Sequence, residues 1–285
     1  MFNFGVDSFI WTEKFSEKDL WIIEKAKEVG FDTVDVYISD VDTFPVQLVK
    51  RKAAEVGIRI VTTHGLPDDA NVISPEPDVR ARGIELLKKV VDLNIELGST
   101  ILGGIPYAAW GYRSGSPRTE QEWEWSVKAL KEVTAYARER GDLIIAVEVV
   151  NRFETHFLNI AADAVRYCRD VGSKNIKVHL DTFHMIREEE SFEGAVKTCG
   201  KEYLGYVHTC ESNRGIPGTA LVPWKEFFTA IKEIGYDGPL VIESFDPSFE
   251  EINRLCSIWR KLASSGEELA VQGLRNLKAI AAEVE

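Results

Sequence analysis

Four residues that are able to bind a metal ion or move a proton each end a strand-like apolar run. Glu148 closes the run Leu-Ile-Ile-Ala-Val, and Asp181, His208 and Glu243 close three later runs. The four positions lie roughly 30 residues apart, the length of one strand–helix–strand repeat. A single such residue is commonly solvated or caps a helix, but four at matching positions predict one shared site.

The chemistry of this set favours a bound divalent cation. Carboxylates that are crowded together repel one another and do not all stay ionised without a compensating charge. Oxygen-rich coordination with one imidazole suits Mn²⁺, Co²⁺ or Mg²⁺ better than structural zinc, which prefers Cys and His. We therefore predict one divalent metal ion. Its predicted ligands are Glu148, Asp181, His208 and Glu243.

Alternating strand and helix patterns supply the elements that position these residues. The predicted strands are 3–7, 33–36, 58–63, 100–103, 143–148, 176–181, 204–210 and 240–243. The predicted helices are 17–29, 41–56, 79–97, 119–140, 159–171, 191–199, 224–234 and 248–285, the last broken near 264–266. Eight such repeats, with no Gly-rich dinucleotide-binding turn, predict an α/β fold, a single (β/α)8 TIM barrel domain over residues 1–285. The carboxyl ends of its strands would share one face, where active sites lie.

Composition excludes several classes of function. The formal net charge is −12 and no basic run is visible, so nucleic-acid binding has little support. The four cysteines are far apart and form no CxxC pair, which predicts reduced thiols. Neither a signal peptide nor a run of 18 apolar residues is apparent, so we expect a cytoplasmic protein with no membrane contact.

Four segments together resemble the motifs of the ketose 3-epimerases, within the xylose isomerase-like barrels. They are Glu-Val-Val-Asn-Arg-Phe-Glu (148–154), His-Leu-Asp-Thr-Phe-His-Met (179–185), His-Thr-Cys-Glu-Ser-Asn-Arg-Gly-Ile-Pro-Gly (208–218) and Ile-Glu-Ser-Phe (242–245). The resemblance implies reversible C3 epimerisation of an unphosphorylated ketose, with Mn²⁺ or Co²⁺ as the usual metal. The implied substrate pairs are D-fructose/D-psicose, D-tagatose/D-sorbose and L-ribulose/L-xylulose. A homo-oligomer, dimer or tetramer, is also implied.

The resemblance also implies roles for single residues. The metal ligands of the family match the four strand-end residues, and its sugar-holding residues match Glu154, His184 and Arg214. Inverting C3 beside a ketone requires removal of the C3 proton and its return from the opposite face, which takes one base on each side. Glu148 and Glu243, on the first and last of the four strands, suit that catalytic role.

Three further residues are predicted to wall the sugar pocket. Trp110 and Phe245 would be ordinary core residues by default, but the resemblance places them against the sugar. His64, after the third strand, is predicted as part of the same wall. The loop 104–117 after the fourth strand is expected to contact the distal hydroxyls, so the sequence leaves the preferred ketose open.

Other polar residues have plainer interpretations. His179 is expected to be a satisfied core histidine, and His156 a loop residue without a role in the site. Arg152 is expected to pair with a nearby carboxylate, and Glu211 to act as a partner behind the site. The acidic run 188–190 is expected to be solvated.

Alternative functions on the same barrel stay open at this stage. A metal-dependent lyase or dehydratase acting on a keto sugar or inosose would eliminate water. An aldose–ketose isomerase would exchange hydrogen at C1 instead of C3. A barrel endonuclease would need more histidine ligands and a basic groove, and a non-catalytic sugar-binding module would bind without hydrogen exchange.

Overall fold

The structure, a computed structural model, describes residues 2–284 and contains a closed barrel of eight parallel strands in sequence order. The strands are β1 (Asn3–Asp7), β2 (Thr33–Tyr37), β3 (Arg59–Leu66), β4 (Ile101–Ala109), β5 (Ile144–Val149), β6 (Ile176–Asp181), β7 (Leu204–His208) and β8 (Pro239–Ile242). Pairing of β8 with β1 closes the barrel. The predicted (β/α)8 TIM barrel is confirmed.

Ten α-helices are present within residues 2–284, most of them packed around the barrel. They are α1 (Trp21–Val29), α2 (Val46–Val56), α3 (Pro77–Leu97), α4 (Glu120–Arg140), α5 (Ala161–Val171), α6 (Thr182–Glu188), α7 (Phe192–Tyr203), α8 (Trp224–Glu233), α9 (Glu250–Cys256) and α10 (Gly266–Ala282). Short 3-10 helices cover Ser8–Ile10, Glu17–Asp19 and Asp68–Ala70. Among the described residues, no helix combines the length and the apolarity that crossing a bilayer requires.

Burial on both faces explains the apolar strands. One large core fills the space between strands and helices, and a separate cluster packs Val61, Ile101, Ala146, Tyr206 and Val241 together from five strands. Parallel strands that are covered on both faces read as nearly continuous apolar runs, as these do. The polar residues at the strand ends therefore stand out against an apolar frame.

The predicted helix boundaries are best where capping chemistry is strong. Thr119 and Glu122 form a capping box at the start of α4, with each side chain accepting a hydrogen bond from the other residue's backbone N–H. Gly98 ends α3 with a left-handed φ of 81°, a conformation that glycine adopts without steric cost. Both boundaries agree with the prediction.

Several predicted boundaries are wrong. The helix predicted from 41 begins at Val46, because Pro45 lacks a backbone N–H and does not fit a helix interior. The helix predicted to end at 199 runs on to Tyr203, through a non-helical Gly200. The third strand ends at Leu66, three residues late, and the seventh at His208, two residues early. The predicted break near 264–266 in the C-terminal helical region is present, but it already begins at the left-handed Ser257.

The fourth strand extends six residues further than predicted at its carboxyl end. It continues to Ala109 instead of stopping at Gly103, and all nine of its residues are buried. Gly104 has a φ of 96°, and a Cβ at this position would lie 2.4 Å from the carbonyl oxygen of His64. Only glycine permits this close approach of β4 to β3 at the edge of the barrel mouth.

Candidate active site at the carboxyl ends of the strands

A cavity of about 400 Å³ opens at the carboxyl ends of the strands. Its wall includes eight of the predicted site residues, Glu148, Glu154, His184, Arg214, Glu243, Trp110, Phe245 and His64. The remaining two, Asp181 and His208, are fully buried next to it. The structure thus gathers the predicted set at one end of the barrel.

The strand-end carboxylates surround the imidazole of His208. Its Nδ1 atom lies 3.4 Å from Glu243 Oε2 and 4.0 Å from Glu148 Oε1. Ligand atoms of Asp181, His208, Cys210 and Glu243 all lie within 4.8 Å of one another, a spacing that allows them to share one ion. Cys210 was not predicted as part of this group, and its pKa is raised well above the ordinary value, chiefly by burial.

The two carboxylate oxygens of Asp181 have different surroundings. It ends β6 and also caps α6, since Oδ1 accepts a hydrogen bond of 2.8 Å from the backbone N–H of Phe183. Oδ2 has no hydrogen-bond partner, although it lies 2.8 Å from Nη1 of Arg214 in an ion pair without hydrogen-bond geometry. One carboxylate oxygen therefore remains directed at the site.

The pKa values of the two predicted catalytic glutamates are shifted in opposite directions. Burial raises the pKa of Glu148 well above its ordinary value, and repulsion from Glu243 acts in the same direction against the attraction of His208. Burial also acts to raise the pKa of Glu243, but Arg214 and then His208 outweigh it and lower that pKa to about 2. Paired groups whose pKa values are driven apart are typical of acid–base chemistry.

Arg214 reaches the centre of the site from the loop after β7. Its Nη1 atom forms a short charged contact with Glu243, and its guanidinium lies 4.1 Å from the ring centre of Phe183 and 5.3 Å from that of Phe245. Its backbone is left-handed, with a φ of 60°, which is uncommon for a residue other than glycine. The fully buried cation is thus held by charge and by two aromatic faces.

Glu211 shapes the loop that carries Arg214. Its carboxylate accepts hydrogen bonds from the backbone N–H groups of Ser212, Gly218 and Val222 and from the indole of Trp224. These donors lower the pKa of Glu211 even though burial opposes the charge. Glu211 supports the site, as predicted, by fixing the course of the loop.

Both ring nitrogens of His184 face hydrogen-bond donors. Nδ1 accepts a hydrogen bond of 3.1 Å from the backbone N–H of Asn151, and Nε2 lies 3.3 Å from Nη2 of Arg214. Nε2 also lies 3.7 Å from both Glu148 Oε1 and Asp181 Oδ2. Burial lowers the pKa of His184, which favours the neutral ring. His184 lies on the short helix α6, a segment for which no helix was predicted.

Glu154 is fixed by two neighbours. The side-chain amide of Asn151 donates to Oε1 at 3.0 Å, and the indole of Trp110 donates to Oε2 at 3.2 Å. Trp110 therefore orients the carboxylate of Glu154 in addition to lining the cavity. The Asn-Arg-Phe-Glu turn places Asn151 between His184 and Glu154.

His64 presents a bare nitrogen to the cavity. Nδ1 lies 2.8 Å from the carbonyl oxygen of Ile38, which only accepts, so the proton is on Nδ1. Nε2 is buried without a hydrogen-bond partner, and burial lowers the pKa of the ring. His64 is consequently a neutral hydrogen-bond acceptor in the cavity wall.

Known proteins with similar sequences identify the family of this chain. The family model described as a xylose isomerase-like TIM barrel matches residues 23–280. The ketose 3-epimerase of Arthrobacter globiformis is 38% identical over 93% of this chain and 92% of the relative. The L-ribulose 3-epimerase of Mesorhizobium japonicum is 34% identical over 95% of this chain and 91% of the relative. The chain belongs to the ketose 3-epimerase family.

A solved ketose 3-epimerase has the same architecture. The crystal structure of D-allulose 3-epimerase from Methylomonas sp. in complex with D-allulose has a TM-score of 0.92 and 32% identity, and the match covers 98% of this chain and 96% of that one. The predicted membership in the ketose 3-epimerases and the predicted enzyme class, an isomerase, are confirmed.

Several residues of this ketose 3-epimerase site escaped the sequence analysis. Phe9, Tyr37 and Cys256 line the cavity, and Phe9 packs on Tyr37 with ring centres 4.6 Å apart. Asp7 is fully buried at the end of β1, and Asp35 is fully buried in the middle of β2. The signal for Asp7 was present, since it ends the first strand-like run, but Asp35 lies inside its strand and does not follow an apolar run.

The residues with plainer interpretations lie around the ketose 3-epimerase site. His179 is buried under it, 3.8 Å from Glu148 Oε2, and His156 contacts Glu122 at 3.2 Å, outside the cavity wall. Arg152 pairs with Glu188, as predicted for a structural ion pair. The run 188–190 is not uniformly solvated, because Glu188 is held by Arg152 and Glu189 accepts from the first backbone N–H of α5.

Proposed function

We propose that this chain is a metal-dependent epimerase that inverts C3 of an unphosphorylated ketose. The observation that carries the proposal is the pair Glu148 and Glu243, which face one cavity with pKa values shifted in opposite directions. The relatives named ketose, L-ribulose and D-allulose 3-epimerases support the substrate class. The substrate pairs considered are those of D-fructose, D-tagatose and L-ribulose.

The two glutamates exchange protons with C3 from opposite sides. One carboxylate removes the C3 proton, the C3–H bond breaks, and its electron pair moves toward C2 and O2 to give a cis-enediolate. The other glutamate then delivers its proton to the opposite face of C3, which forms the inverted centre. The roles of Glu148 and Glu243 are reversed for the reverse reaction, so each serves as acid or base according to the epimer bound.

The buried donor set fits a divalent cation. Asp181 Oδ2 and His208 Nδ1 are buried without hydrogen-bond partners, and each lies beside the carboxylates of the site. We propose that Glu148, Asp181, His208 and Glu243 hold Mn²⁺ or Co²⁺, with Mg²⁺ as the alternative, because oxygens with one imidazole suit these ions. Such a cation supplies positive charge that polarises the C2 carbonyl and stabilises the developing negative charge.

Two further side chains stabilise the negative charge that develops on the substrate. Nε2 of His184 lies near Glu148, and in the tautomer that the backbone N–H of Asn151 favours it donates a hydrogen bond to a substrate oxygen there. Arg214 adds a fixed positive charge at the Glu243 side. Because both donors are buried and held in advance, they require little reorganisation when charge develops on O2 or O3.

The remaining predicted residues bind the rest of the sugar. We assign Glu154 to the hydroxyl groups near C1, since its oxygens are already oriented by Asn151 and Trp110. Trp110 and Phe245 supply the apolar wall. His64 offers its bare Nε2 to a hydroxyl donor of the substrate.

Hydrogen exchange tests the reaction directly. D-fructose, D-tagatose and L-ribulose are incubated in D₂O with metal-loaded protein and with chelator-treated protein, and the products are followed by NMR. We expect deuterium at C3 together with the C3 epimer, and loss of both after chelation.

Other outcomes would favour the alternative functions. Deuterium at C1 would indicate an aldose–ketose isomerase, and a dehydrated product would indicate a lyase or dehydratase. Binding without exchange would indicate a sugar-binding module, and undiminished exchange after complete metal removal would contradict the metal-dependent mechanism. The single domain over 1–285, the cytoplasmic location and a homo-oligomeric state, dimer or tetramer, stay predictions.

A further inference from the structure

A second group of buried polar residues lies on the far side of His208 from the catalytic glutamates. Asp7 and Asp35 are directly paired in the register of β1 and β2, and both side chains are fully buried. Oxygens of both carboxylates lie within 4.8 Å of each other and of a nitrogen of His208. The proposed proton transfer uses neither aspartate, so their place in the fold calls for a separate explanation.

Asp35 is the aspartate that contacts the imidazole. Its Oδ2 lies 3.3 Å from Nε2 of His208 and also accepts a short hydrogen bond from the hydroxyl of Tyr206. Its Oδ1 accepts from the hydroxyl of Thr63 at 3.2 Å. The carboxylate is thus anchored from β3 and β7 and acts as an acceptor on both oxygens.

This contact decides which nitrogen of His208 is free. Nε2 is in hydrogen-bond contact with Asp35 Oδ2, whereas Nδ1 has no hydrogen-bond partner, so the neutral ring holds its hydrogen on Nε2. Nδ1 is then left with a lone pair, and it is the nitrogen that faces Glu243 at 3.4 Å. Without Asp35, a proton on Nδ1 would instead be attracted by Glu243, and the lone pair would turn away from the site.

We propose that Asp35 is a positioning residue of the metal centre, which holds His208 in the tautomer and ring orientation that let Nδ1 bind the divalent ion. A carboxylate behind a metal-binding histidine raises the basicity of the ligand and fixes its direction. This inference rests on the proposed metal dependence and extends it to β2, which supplies no ligand of its own.

The test compares two matched substitutions, Asp35→Asn and Asp7→Asn. Both replace a fully buried aspartate at paired positions with its closest isostere, but only Asp35 contacts His208. Mn²⁺ and Co²⁺ affinities are measured by calorimetry on metal-stripped full-length protein, and the visible spectrum of the Co²⁺ form is recorded. We expect Asp35→Asn to weaken binding about 10- to 100-fold and to change the spectrum, and Asp7→Asn to have the smaller effect on both.

Equal affinity and an unchanged spectrum in Asp35→Asn would overturn the inference, as would an equal loss in Asp7→Asn, which would indicate a general effect of the buried charges. A merely structural role would lower the melting temperature of the stripped protein without changing the Co²⁺ spectrum. Wild-type protein that binds neither ion would instead contradict the proposed metal dependence itself.

If the Asp35→Asn variant fails to fold, a measurement on the wild-type protein tests the same inference. In protein labelled with ¹⁵N-histidine and loaded with Mg²⁺, two-bond nitrogen–proton correlations identify the protonated nitrogen of His208. We expect the proton on Nε2 and a bare Nδ1. A proton on Nδ1 in the loaded protein would overturn the inference.

Discussion

The two halves of the cavity wall differ in kind. In the half from β5 to β8, Glu148 and Glu243 line the cavity and Asp181 and His208 lie buried beside it; neighbouring charges act on the pKa of Glu148, His208 and Glu243. The half from β1 to β4 consists mainly of aromatic rings, Phe9, Tyr37 and Trp110, with the neutral acceptor His64 among them. In the proposed reaction, the charged half would face the carbon that is inverted, and the neutral half would face the part of the substrate that does not react.

This division predicts how substitutions separate in kinetic measurements. A change in the β5–β8 half removes interactions that strengthen in the transition state and lowers kcat. A change in the β1–β4 half removes interactions that substrate and transition state share, and it acts mainly on KM.

The largest effect is expected from Glu148→Gln and Glu243→Gln. Each amide keeps the shape of the side chain but removes one of the two acid–base groups, so kcat should fall by about 10²- to 10⁴-fold. Exchange at C3 in D₂O, followed by NMR, measures the loss. Glu190→Gln, at an exposed position, is the matched control and should retain full activity. Full activity in either catalytic variant would refute the two-base scheme.

A smaller loss is expected from Arg214→Lys. Lysine keeps the charge but loses the planar contact with Phe183 and Phe245. Hydrogen bonds to charged groups contribute about 1.5–3 kcal/mol, which corresponds to a roughly 10- to 150-fold loss in kcat/KM. Steady-state kinetics measure the change, and Arg187→Lys on the exposed face of α6 is the control. A wild-type value of kcat/KM in Arg214→Lys would contradict the assignment of Arg214 to the charged half of the site.

His64→Leu tests the other half of the comparison. Loss of the acceptor should lower kcat/KM about tenfold, the effect of a neutral hydrogen bond of about 1.4 kcal/mol, with most of the change in KM. The same measurement with 4-, 5- and 6-deoxy ketohexoses identifies the substrate hydroxyl that donates to His64. With the analogue that lacks this hydroxyl, wild type and variant should have the same kcat/KM. A loss that appears equally with every analogue would mean that His64 only shapes the wall.

The smallest effect is expected at the rim, from Glu188→Gln. Arg152 is 62% exposed, whereas the side chain of Glu188 is only 5% exposed, so their ion pair should contribute about 1 kcal/mol to the free energy of unfolding, the upper end for exposed pairs. Urea denaturation measures the change, and C3 exchange should be unaffected. A large loss of activity would show that the charged half of the site extends to the rim.

The sequence predicted the catalytic half better than the apolar half. Glu148, Asp181 and Glu243 stand at the ends of apolar runs, and the barrel topology alone brings such ends together. Phe9, Tyr37 and Cys256 carry no such signal, because an aromatic ring or a thiol that lines a cavity reads like one in the core. Cys256 also comes from α9, whose position relative to the cavity depends on tertiary packing.

Local chemistry explains the remaining misses. Helix α6 is short, and its only clear start signal is Asp181, whose carboxylate had already been assigned to the site and not to a helix cap. The length of β4 depends on Gly104, whose close approach to His64 is visible only when the strands are paired. Asp35 lies in the middle of β2 and not at its end, so the strand-end rule that singled out Glu148 does not apply to it.

The guanidinium of Arg214 gives the metal centre an internal counterion. It pairs with Asp181 and Glu243, two of the proposed ligands, so the acidic cluster carries positive charge from the chain itself. We expect a protein built in this way to stay folded after chelation and to accept a different divalent ion afterwards. The ion in a given cell would then be set by local supply as much as by the polypeptide, and the proposed centre would be an exchangeable part of the enzyme.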